Sequence, residues 1–588
     1  MSQDPVRHGG DLVVDVLEQQ GVRRVYTLCG GHVSPILVSA ERRGIAIVDV
    51  RHEASAAFAA DAESRLTGVP GVAVVTAGPG CTNTITAIKN AQMAQSPLVL
   101  LGGATGTILK GRGSLQDIDQ MALFEPHVKW MAAVEHVRDL VPAVEQAFEE
   151  ARLGVPGPVF VECPVDLLYP QPLVREQYGV GESAKPPRSL GERALRWYLG
   201  RHVRKIFRGA DKVAASAPRS LPVPEATRRE VQKVAKALRA ARRPVALVGS
   251  QATLRVERID EIASALGELG LPFYLSGMAR GLVGVDHSRQ MRHKRRLALG
   301  DADLVLLLGV AADFRLDYGR HVPRKATYVS VNLDDHDLVK NRRPDLGILA
   351  DPGLFVLALA AELGGDADAP GLERTEWVAS LRTRDDERNA DIAARAEQTT
   401  EHVNPLHLFR TMDTLLDDDS VLVADGGDFV ATASYILQPR GPLRWLDPGV
   451  FGTLGVGGGF ALGAKAVRPA SEVWLIWGDG SAAYSLAEFD AFARHGLPVI
   501  AVVGNDAGWT QIAREQVEIL GAATATQLVH NEYHTVAEGY GGAGLLLDDP
   551  AQIADTLREA KRIAAEGKPV LVNVLLGATD FRKGSISM

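Results

Sequence analysis

Short, continuous apolar runs recur along the chain, each closed by glycine or a polar turn and followed by a longer Ala-rich amphipathic stretch. Runs such as Val72–Thr76, Asp303–Gly309 (DLVLLLG) and Val473–Trp477 do not alternate between apolar and polar residues. Strands of that kind are buried on both faces, which implies parallel sheets covered by helices on either side. The rhythm appears in three blocks, so the expected fold class is α/β, with three doubly wound parallel-sheet domains. In the first block the expected strands are Val25–Leu28, Ile45–Val48, Val72–Thr76, Leu98–Leu101 and Val159–Glu162. The expected helices there are Asp11–Gln20, Ala54–Thr67, Thr82–Gln95 and Val137–Leu153. The middle block opens with Pro244–Gly249 and continues through Asp303–Gly309 and Ala326–Val331. The third carries Val421–Ala424, Val473–Trp477, Val499–Val503 and Val570–Val574.

A chain of 588 residues exceeds what one core sustains, and changes of composition place the boundaries. A first domain spans 1–170. A linker, 171–223, follows within a stretch from Tyr169 to Pro224 that holds seven prolines, and it contains a basic segment. The middle domain spans 224–364, a charged linker 365–403, the third domain 404–577 and a tail 578–588. In the basic segment Arg193–Arg208, Leu195, Leu199, Val203 and Ile206 recur at helical spacing among six Lys and Arg residues. That pattern fits a linker helix packed on its own subunit, a helix lying on a membrane surface, or a dock for an anionic ligand or partner.

The net charge of −8 gives no support to nucleic-acid binding, which needs a basic surface. Cys29, Cys81 and Cys163 are odd in number and widely spaced, with neither metal-ligand nor disulfide spacing, as expected in a reducing cytoplasm. The opening MSQDPVRHGG lacks an apolar signal region, and no run reaches the roughly 18–20 apolar residues of a transmembrane segment, so the expectation is a soluble protein.

The strand Val473–Trp477 ends in Gly478-Asp479-Gly480, with Ser481 next and a helix-like Ser485–His495 beyond. The following strand, Val499–Val503, delivers Asn505, with 24 residues between Gly480 and Asn505. Asp479 and Asn505 are thereby expected at the carboxyl ends of neighbouring parallel strands, where α/β folds bind ligands. A carboxylate, an amide oxygen and a backbone carbonyl suit Mg²⁺, and glycines permit close approach of a diphosphate. Gly455–Gly463 (GVGGGFALG) does not have dinucleotide-fingerprint spacing and follows no strand directly. In the first block, Arg51-His52-Glu53-Ala54 sets a carboxylate at a helix start, and Thr76-Ala77-Gly78-Pro79-Gly80-Cys81-Thr82-Asn83 forms a tight strand-to-helix turn.

Together these stretches resemble the thiamine-diphosphate enzymes over nearly the whole chain, least about Pro170–Phe207. The resemblance implies a pyrimidine-binding first domain, a middle domain and a diphosphate-binding third domain. It implies Glu53 as the carboxylate that activates the aminopyrimidine ring, with Pro79 and Asn83 beside it. It assigns Mg²⁺ to Asp479, Asn505 and the carbonyl of Ala507, and the diphosphate turn to Gly478, Gly480 and Ser481. Leu454 would bend the cofactor and Gly452 would offer it a carbonyl. Asp506 stands where the family often has Asn. Active sites of this family lie between subunits, which implies a homodimer or homotetramer.

Gly113-Ser114-Leu115-Gln116-Asp117 and Pro126-His127-Val128-Lys129-Trp130 resemble the acetolactate-synthase-like loop, whereas Ala507–Gln516 departs from the synthase pattern. The chain is most similar to the 2-hydroxyacyl-CoA lyase branch. That implies reversible cleavage of a 2-hydroxyacyl-CoA to formyl-CoA and an aldehyde or ketone. Glu488 and Gln116 are then candidates for catalytic roles, and His52 and His127 for proton shuttling. Leu123, Phe124, His127 and Trp509 are candidates for the substrate pocket. Arg292, Lys294, Arg295, Arg296, Arg582 and Lys583 are candidate contacts to the CoA phosphates. The tail Asp580–Ser587 is a candidate lid. Acetolactate synthesis, with FAD in the middle block, and a non-catalytic scaffold are the alternatives.

Overall fold

The structure is a computed structural model that describes residues 7–364 and 372–584. The chain up to Leu221, apart from Leu66–Gly68, forms one compact unit; Leu66–Gly68 and Pro222 onward form another. The first unit is built on β1 (Arg24–Leu28), β2 (Ala46–Asp49), β3 (Gly71–Val75), β4 (Leu98–Ala104), β5 (Trp130–Ala133) and β6 (Pro158–Pro164). They make one all-parallel sheet in the order β2-β1-β3-β4-β6-β5.

The second unit holds two more sheets. One combines β7 (Pro244–Val248), β8 (Phe273–Leu275), β9 (Gln290–Met291), β10 (Leu304–Leu308), β11 (Thr327–Asn332) and β12 (Leu346–Leu349). Its order is β12-β11-β10-β7-β8-β9. The other combines β13 (Val421–Ala424), β14 (Trp445–Leu446), β15 (Val473–Gly478), β16 (Ile500–Asn505), β17 (Ala543–Leu547) and β18 (Val570–Leu575), ordered β14-β13-β15-β16-β18-β17. Every pairing in both sheets is parallel. The first and third sheets therefore repeat one strand order, although the sequence carries no visible short repeat. The middle sheet runs in the order of the dinucleotide-binding doubly wound folds.

The central strands are buried along their whole length, as in GVAVV of β3 and LVLLL of β10. The strands absent from the sequence reading are short or lie towards the sheet edges. β9 and β14 have two residues each, and β5, Trp130–Ala133, is half-exposed and rich in alanine, a weak strand former. The expected helix Thr82–Gln95 is broken into Pro79–Thr82 and Ile85–Met93. There Thr84 Oγ1 donates to the Cys81 carbonyl at 2.7 Å, competing with the helical backbone. The helix Ser34–Arg42 has no counterpart in the sequence reading.

Strand order reverses between β1 and β3, and again between β13 and β15. At such switch points the loops leaving neighbouring strands diverge and open a crevice at the carboxyl edge. Thr76–Gly80 follows β3, while Asp425–Gly427 and Asp479–Gly480 follow β13 and β15. Topology thus directs the motif-bearing loops to two crevices, one in each unit. Among the described residues, no helix is long and apolar enough to cross a membrane.

Candidate active site

In the first unit Glu53 is the first residue of the helix Glu53–Thr67, and its carboxylate is buried. Asn83 Nδ2 donates to Glu53 Oε2 at 2.8 Å, joining the two stretches singled out in the sequence. Gly78 has φ +61°, and a Cβ there would stand 2.9 Å from Gln116 Cβ and from the Gln116 carbonyl oxygen. Only glycine lets the Gly113–Asp117 loop close onto the turn. Gln116 is itself left-handed, with φ +62°, a conformation that costs a non-glycine residue about 1–3 kcal/mol and recurs at functional sites. Pro79 and Asn83 lie at the surface of the turn.

Beneath them runs a polar relay. Gln120 Oε1 accepts from Gly78 N at 2.9 Å, and its Nε2 donates to Gly103 O at 3.1 Å and Glu162 Oε2 at 3.0 Å. Glu162 is buried and paired with Lys110. No motif marks Gln120 or Glu162, because the contacts span 42 residues of sequence in each case. Leu123 and His127 are half-buried. His127 is held towards its neutral form by burial and by Lys89, and its Nδ1 has no hydrogen-bond partner. Phe124 does not line a pocket. It is fully buried and stacks on Phe160, with ring centroids 4.1 Å apart, because its helix turns it into the sheet. His52 is exposed, and its Nδ1 accepts from Ala54 N at 3.1 Å, a helix-start contact.

In the second unit Gly478 pairs with Gly504 across β15 and β16, so Asp479 and Asn505 leave the sheet side by side. Gly508 N donates to Asp479 Oδ2 at 3.1 Å, and Gly480 N to Asp479 Oδ1 at 2.7 Å. Asn505 Nδ2 donates to Asn531 O at 3.1 Å and Asn573 Oδ1 at 3.2 Å, which fixes its amide and leaves Oδ1 facing His530 Nδ1 at 3.2 Å. Ala507 is left-handed (φ +53°), and its carbonyl accepts from Leu528 N at 2.8 Å. One carboxylate, one amide oxygen and one carbonyl are what a hard octahedral cation takes from protein when phosphate and water complete its shell. Among the described residues no three His, Cys, Asp or Glu side chains gather into a metal cluster of another kind. Burial and the neighbouring Asp506 push the Asp479 carboxyl up to about 7. A cation relieves that kind of crowding between buried acids, so these residues fit the metal and diphosphate implied by the sequence.

Trp509 packs onto this turn, and a Cβ at Gly480 would meet its ring at 2.6 Å. Ser481 Oγ faces both Gly478 N and Gly478 O at 3.1 Å, holding the turn closed. Across the switch point, Leu454 is half-buried, and its Cδ2 lies 2.4 Å from where a Cβ on Gly426 would stand. Gly452 is exposed, with φ +64°. Asp425, absent from the sequence reading, anchors this loop. Its carboxylate accepts from Gly455 N at 3.0 Å and Gly457 N at 2.6 Å, and burial raises it to about 7. A strand-end Asp before two glycines was the available signal. Asp425→Ala leaves two buried N–H groups without acceptors, each costing about 1–3 kcal/mol. A lower melting temperature and weaker cofactor binding are expected by scanning fluorimetry and calorimetry.

Glu488 is buried in the first turn of the helix Glu488–Arg494. Arg292 is not free for a CoA phosphate. Its Nη2 donates to the carbonyls of Tyr435 and Ile436 at 3.0 Å and Leu437 at 3.3 Å, satisfying a helix end, and burial lowers it to about 10. Arg295 donates to Arg315 O at 3.1 Å, while Lys294 and Arg296 are exposed. Arg582 lies 3.4 Å from Asp428 and over the Tyr435 ring. Phe581 is buried and Asp580 pairs with Arg395 at 2.7 Å, so the expected lid is docked as far as Arg582. Ser585–Ser587 lie outside the described residues.

Residues 7–123 match the family described as thiamine pyrophosphate enzyme, N-terminal TPP binding domain. Residues 231–359 match its central domain and 425–574 its C-terminal TPP binding domain. The chain is 51% identical over 589 residues to 2-hydroxyacyl-CoA lyase 2 of Danio rerio, covering 99% of this chain and 94% of that protein. It is 48% identical over 590 residues to 2-hydroxyacyl-CoA lyase 2 of Homo sapiens, covering 99% and 92%. An acetolactate synthase large subunit of Mycobacterium tuberculosis is 32% identical over 577 residues, covering 97% and 95%. With three matched domains in order and relatives of 48–51% identity along 99% of its length, the chain belongs to the thiamine pyrophosphate enzyme family.

Proposed function

We propose that the protein is a thiamine-diphosphate- and Mg²⁺-dependent 2-hydroxyacyl-CoA lyase, converting a 2-hydroxyacyl-CoA into formyl-CoA and an aldehyde or ketone. The observation that carries this reading is the 48–51% identity, over 99% of the chain, to proteins named 2-hydroxyacyl-CoA lyase 2 in fish and human, against 32% to a named acetolactate synthase. In the reaction the C1–C2 bond breaks, the 2-hydroxyl gives up its proton as the carbonyl forms, and C1 takes up a proton to become the formyl group. Bound thiamine diphosphate supplies the nucleophilic carbon and the electron sink for that cleavage.

The protein's own part is binding, orientation and proton placement. In the inter-subunit arrangement that the family resemblance implies, Glu53 of one copy, held by Asn83, would present its carboxylate to the pyrimidine, and Leu454 and the Gly452 carbonyl of another copy, steadied by Asp425, would support the ring. Asp479, Asn505 and the Ala507 carbonyl would hold Mg²⁺, with Gly480 and Ser481 at the turn that would take the diphosphate. Gln116, fixed over Gly78, lies at the substrate side with Leu123, and Trp509 walls the turn. Glu488, buried in the first turn of the helix that follows the diphosphate turn, is the candidate for the proton transfer or for orienting the cofactor. Exposed Lys294 and Arg296 are the remaining middle-domain cations for CoA. The helix Thr510–Leu520 buries none of its residues and exposes Ile512, Val517, Ile519 and Leu520, which supports an assembly in which a second copy covers it. Three unpaired cysteines, two of them buried, fit a reducing cytoplasm.

The test offers the purified protein 2-hydroxyisobutyryl-CoA, a straight-chain 2-hydroxyacyl-CoA and pyruvate separately, with thiamine diphosphate and Mg²⁺. Formyl-CoA from a thioester is the expected product; acetolactate from pyruvate with both thioesters untouched would overturn the reading.

Metal binding also carries a pH signature. Asp479 ligates Mg²⁺ only when ionised, and its carboxyl sits at about 7 without the cation. Below that pH, binding must expel a proton, so apparent affinity falls by about tenfold per pH unit, and above it the affinity levels off. Titration calorimetry in buffers of differing ionisation enthalpy reads the released proton directly. A flat affinity from mildly acidic to mildly alkaline pH would contradict the assignment.

A further inference from the structure

The basic segment in the linker folds as the helix Leu190–Phe207, started by Ser189, whose Oγ accepts from Glu192 N at 3.1 Å. One face seats it on the first unit. Gly200, Val203 and Ile206 are buried, Ile206 within the main core, with Phe207 packed against that core. His202 Nε2 lies 2.9 Å from Thr107 Oγ1, which in turn donates to buried Asp166 at 2.6 Å. The helix is therefore a fixed platform.

Its outer face displays large side chains. Leu190 is 80% exposed and Trp197 61%, with Tyr198 and Leu195 also more than half exposed. Of seven tryptophans, Trp197 is the one that stands among the exposed large hydrophobic residues. At 100° per residue, Leu190, Ala194, Trp197, Tyr198 and Arg201 share one side, followed towards the C-terminus by Arg204 and Lys205. The helix carries five Lys and Arg residues against one Glu, in a chain whose net charge is −8, and Lys185, Arg188, Arg208 and Lys212 flank it. Arg201 lies over the Trp197 ring, 5.6 Å from its centroid.

We propose that this helix docks the protein peripherally on an anionic lipid surface, with Leu190, Trp197 and Tyr198 entering the headgroup boundary and Arg193, Arg201, Arg204 and Lys205 meeting the lipid phosphates. Two considerations select that occupant. Tryptophan and tyrosine are the residues whose apolar rings and polar edges suit a membrane interface, and cations beside them suit anionic headgroups. A two-fold contact with a second copy would set the same cations against one another.

The test is co-flotation of the full-length protein with vesicles of phosphatidylcholine alone and of phosphatidylcholine with phosphatidylglycerol, read alongside tryptophan emission. Binding to the anionic vesicles alone, release by salt, and a blue shift of emission that Trp197→Phe reduces are expected. Arg201→Glu with Arg204→Glu should weaken vesicle binding at least tenfold, as should Trp197→Ser with Tyr198→Ser. Turnover of a soluble short-chain thioester should stay unchanged, and an unchanged circular dichroism spectrum confirms that the helix remains. Equal flotation of wild type and both double variants overturns the proposal. So does a loss of oligomeric state in the variants, which would assign the face to subunit contact, or binding to soluble polyglutamate without vesicle binding, which would assign it to an acidic protein.

Discussion

Glu53→Gln is expected to abolish turnover while leaving the cofactor bound. The substitution preserves shape and hydrogen-bonding reach but replaces a carboxylate with an amide that cannot shift charge onto a ring nitrogen. Loss of a positioned acid–base group costs about 10²–10⁴-fold in rate. The effect belongs in kcat, because the residues proposed to grip the diphosphate, Asp479, Asn505, Gly480 and Ser481, lie in the other unit and are untouched. Asn83 still has a partner, since the new side-chain amide oxygen accepts where Glu53 Oε2 does now. Formyl-CoA release measured by mass spectrometry, together with thiamine diphosphate affinity by calorimetry, separates the two quantities. Wild-type turnover in Glu53→Gln, or a cofactor affinity lost together with activity, would remove Glu53 from its proposed role.

Asp479→Asn should act with opposite signs on stability and on binding. In the unliganded protein Asp479 is buried beside Asp506, whose charge helps to raise its carboxyl, and Asp506 is itself raised by burial. Replacing Asp479 with an amide removes that repulsion, so the melting temperature without Mg²⁺ should hold or rise. Binding should fail, because the proposed Mg²⁺ site loses its one carboxylate from this strand end. Removing even an outer-shell partner of a metal costs roughly 10–100-fold in affinity, and a direct ligand costs at least as much. Stabilisation of the melting temperature by Mg²⁺ and thiamine diphosphate, expected in the wild type, should vanish in the variant. A variant that retains that stabilisation would show that the cation is held elsewhere. The trade between stability and function is general where sites store unfavourable charge.

Much of the candidate site could be proposed from the sequence because its parts are local. A glycine–acid–glycine turn at a strand end, an amide ending the next strand and a carboxylate opening a small-residue helix need only a few consecutive residues each. The parallel sheets were legible for a related reason: a strand covered on both faces is apolar throughout, and that leaves a mark in the chain. Residues whose roles arise from distant contacts left no mark, or only a weak one such as the glycines after Asp425. Gln120 serves the Gly78 turn from 42 residues away, and Asp425 ties down Gly455 and Gly457 from 30 and 32. Arg292 read as a cation for phosphate, because a sequence cannot show that three helix-end carbonyls already occupy a guanidinium. Phe124 read as a pocket wall, because an apolar residue near a loop looks the same whether it faces substrate or Phe160.

The sequence by itself determined the α/β class and the three sheet-bearing blocks, since backbone geometry and short-range residue choice dictate both, and its motifs carried the family resemblance that implies thiamine diphosphate and the candidate turns. Tertiary structure alone decided the shared strand order of the first and third sheets, and with it the two switch points where the functional loops open. It also decided which charged groups are free and which are spent on carbonyls, and which face of the basic helix is seated and which is displayed. Burial and partnership are properties of packing between distant segments, and no local pattern encodes them.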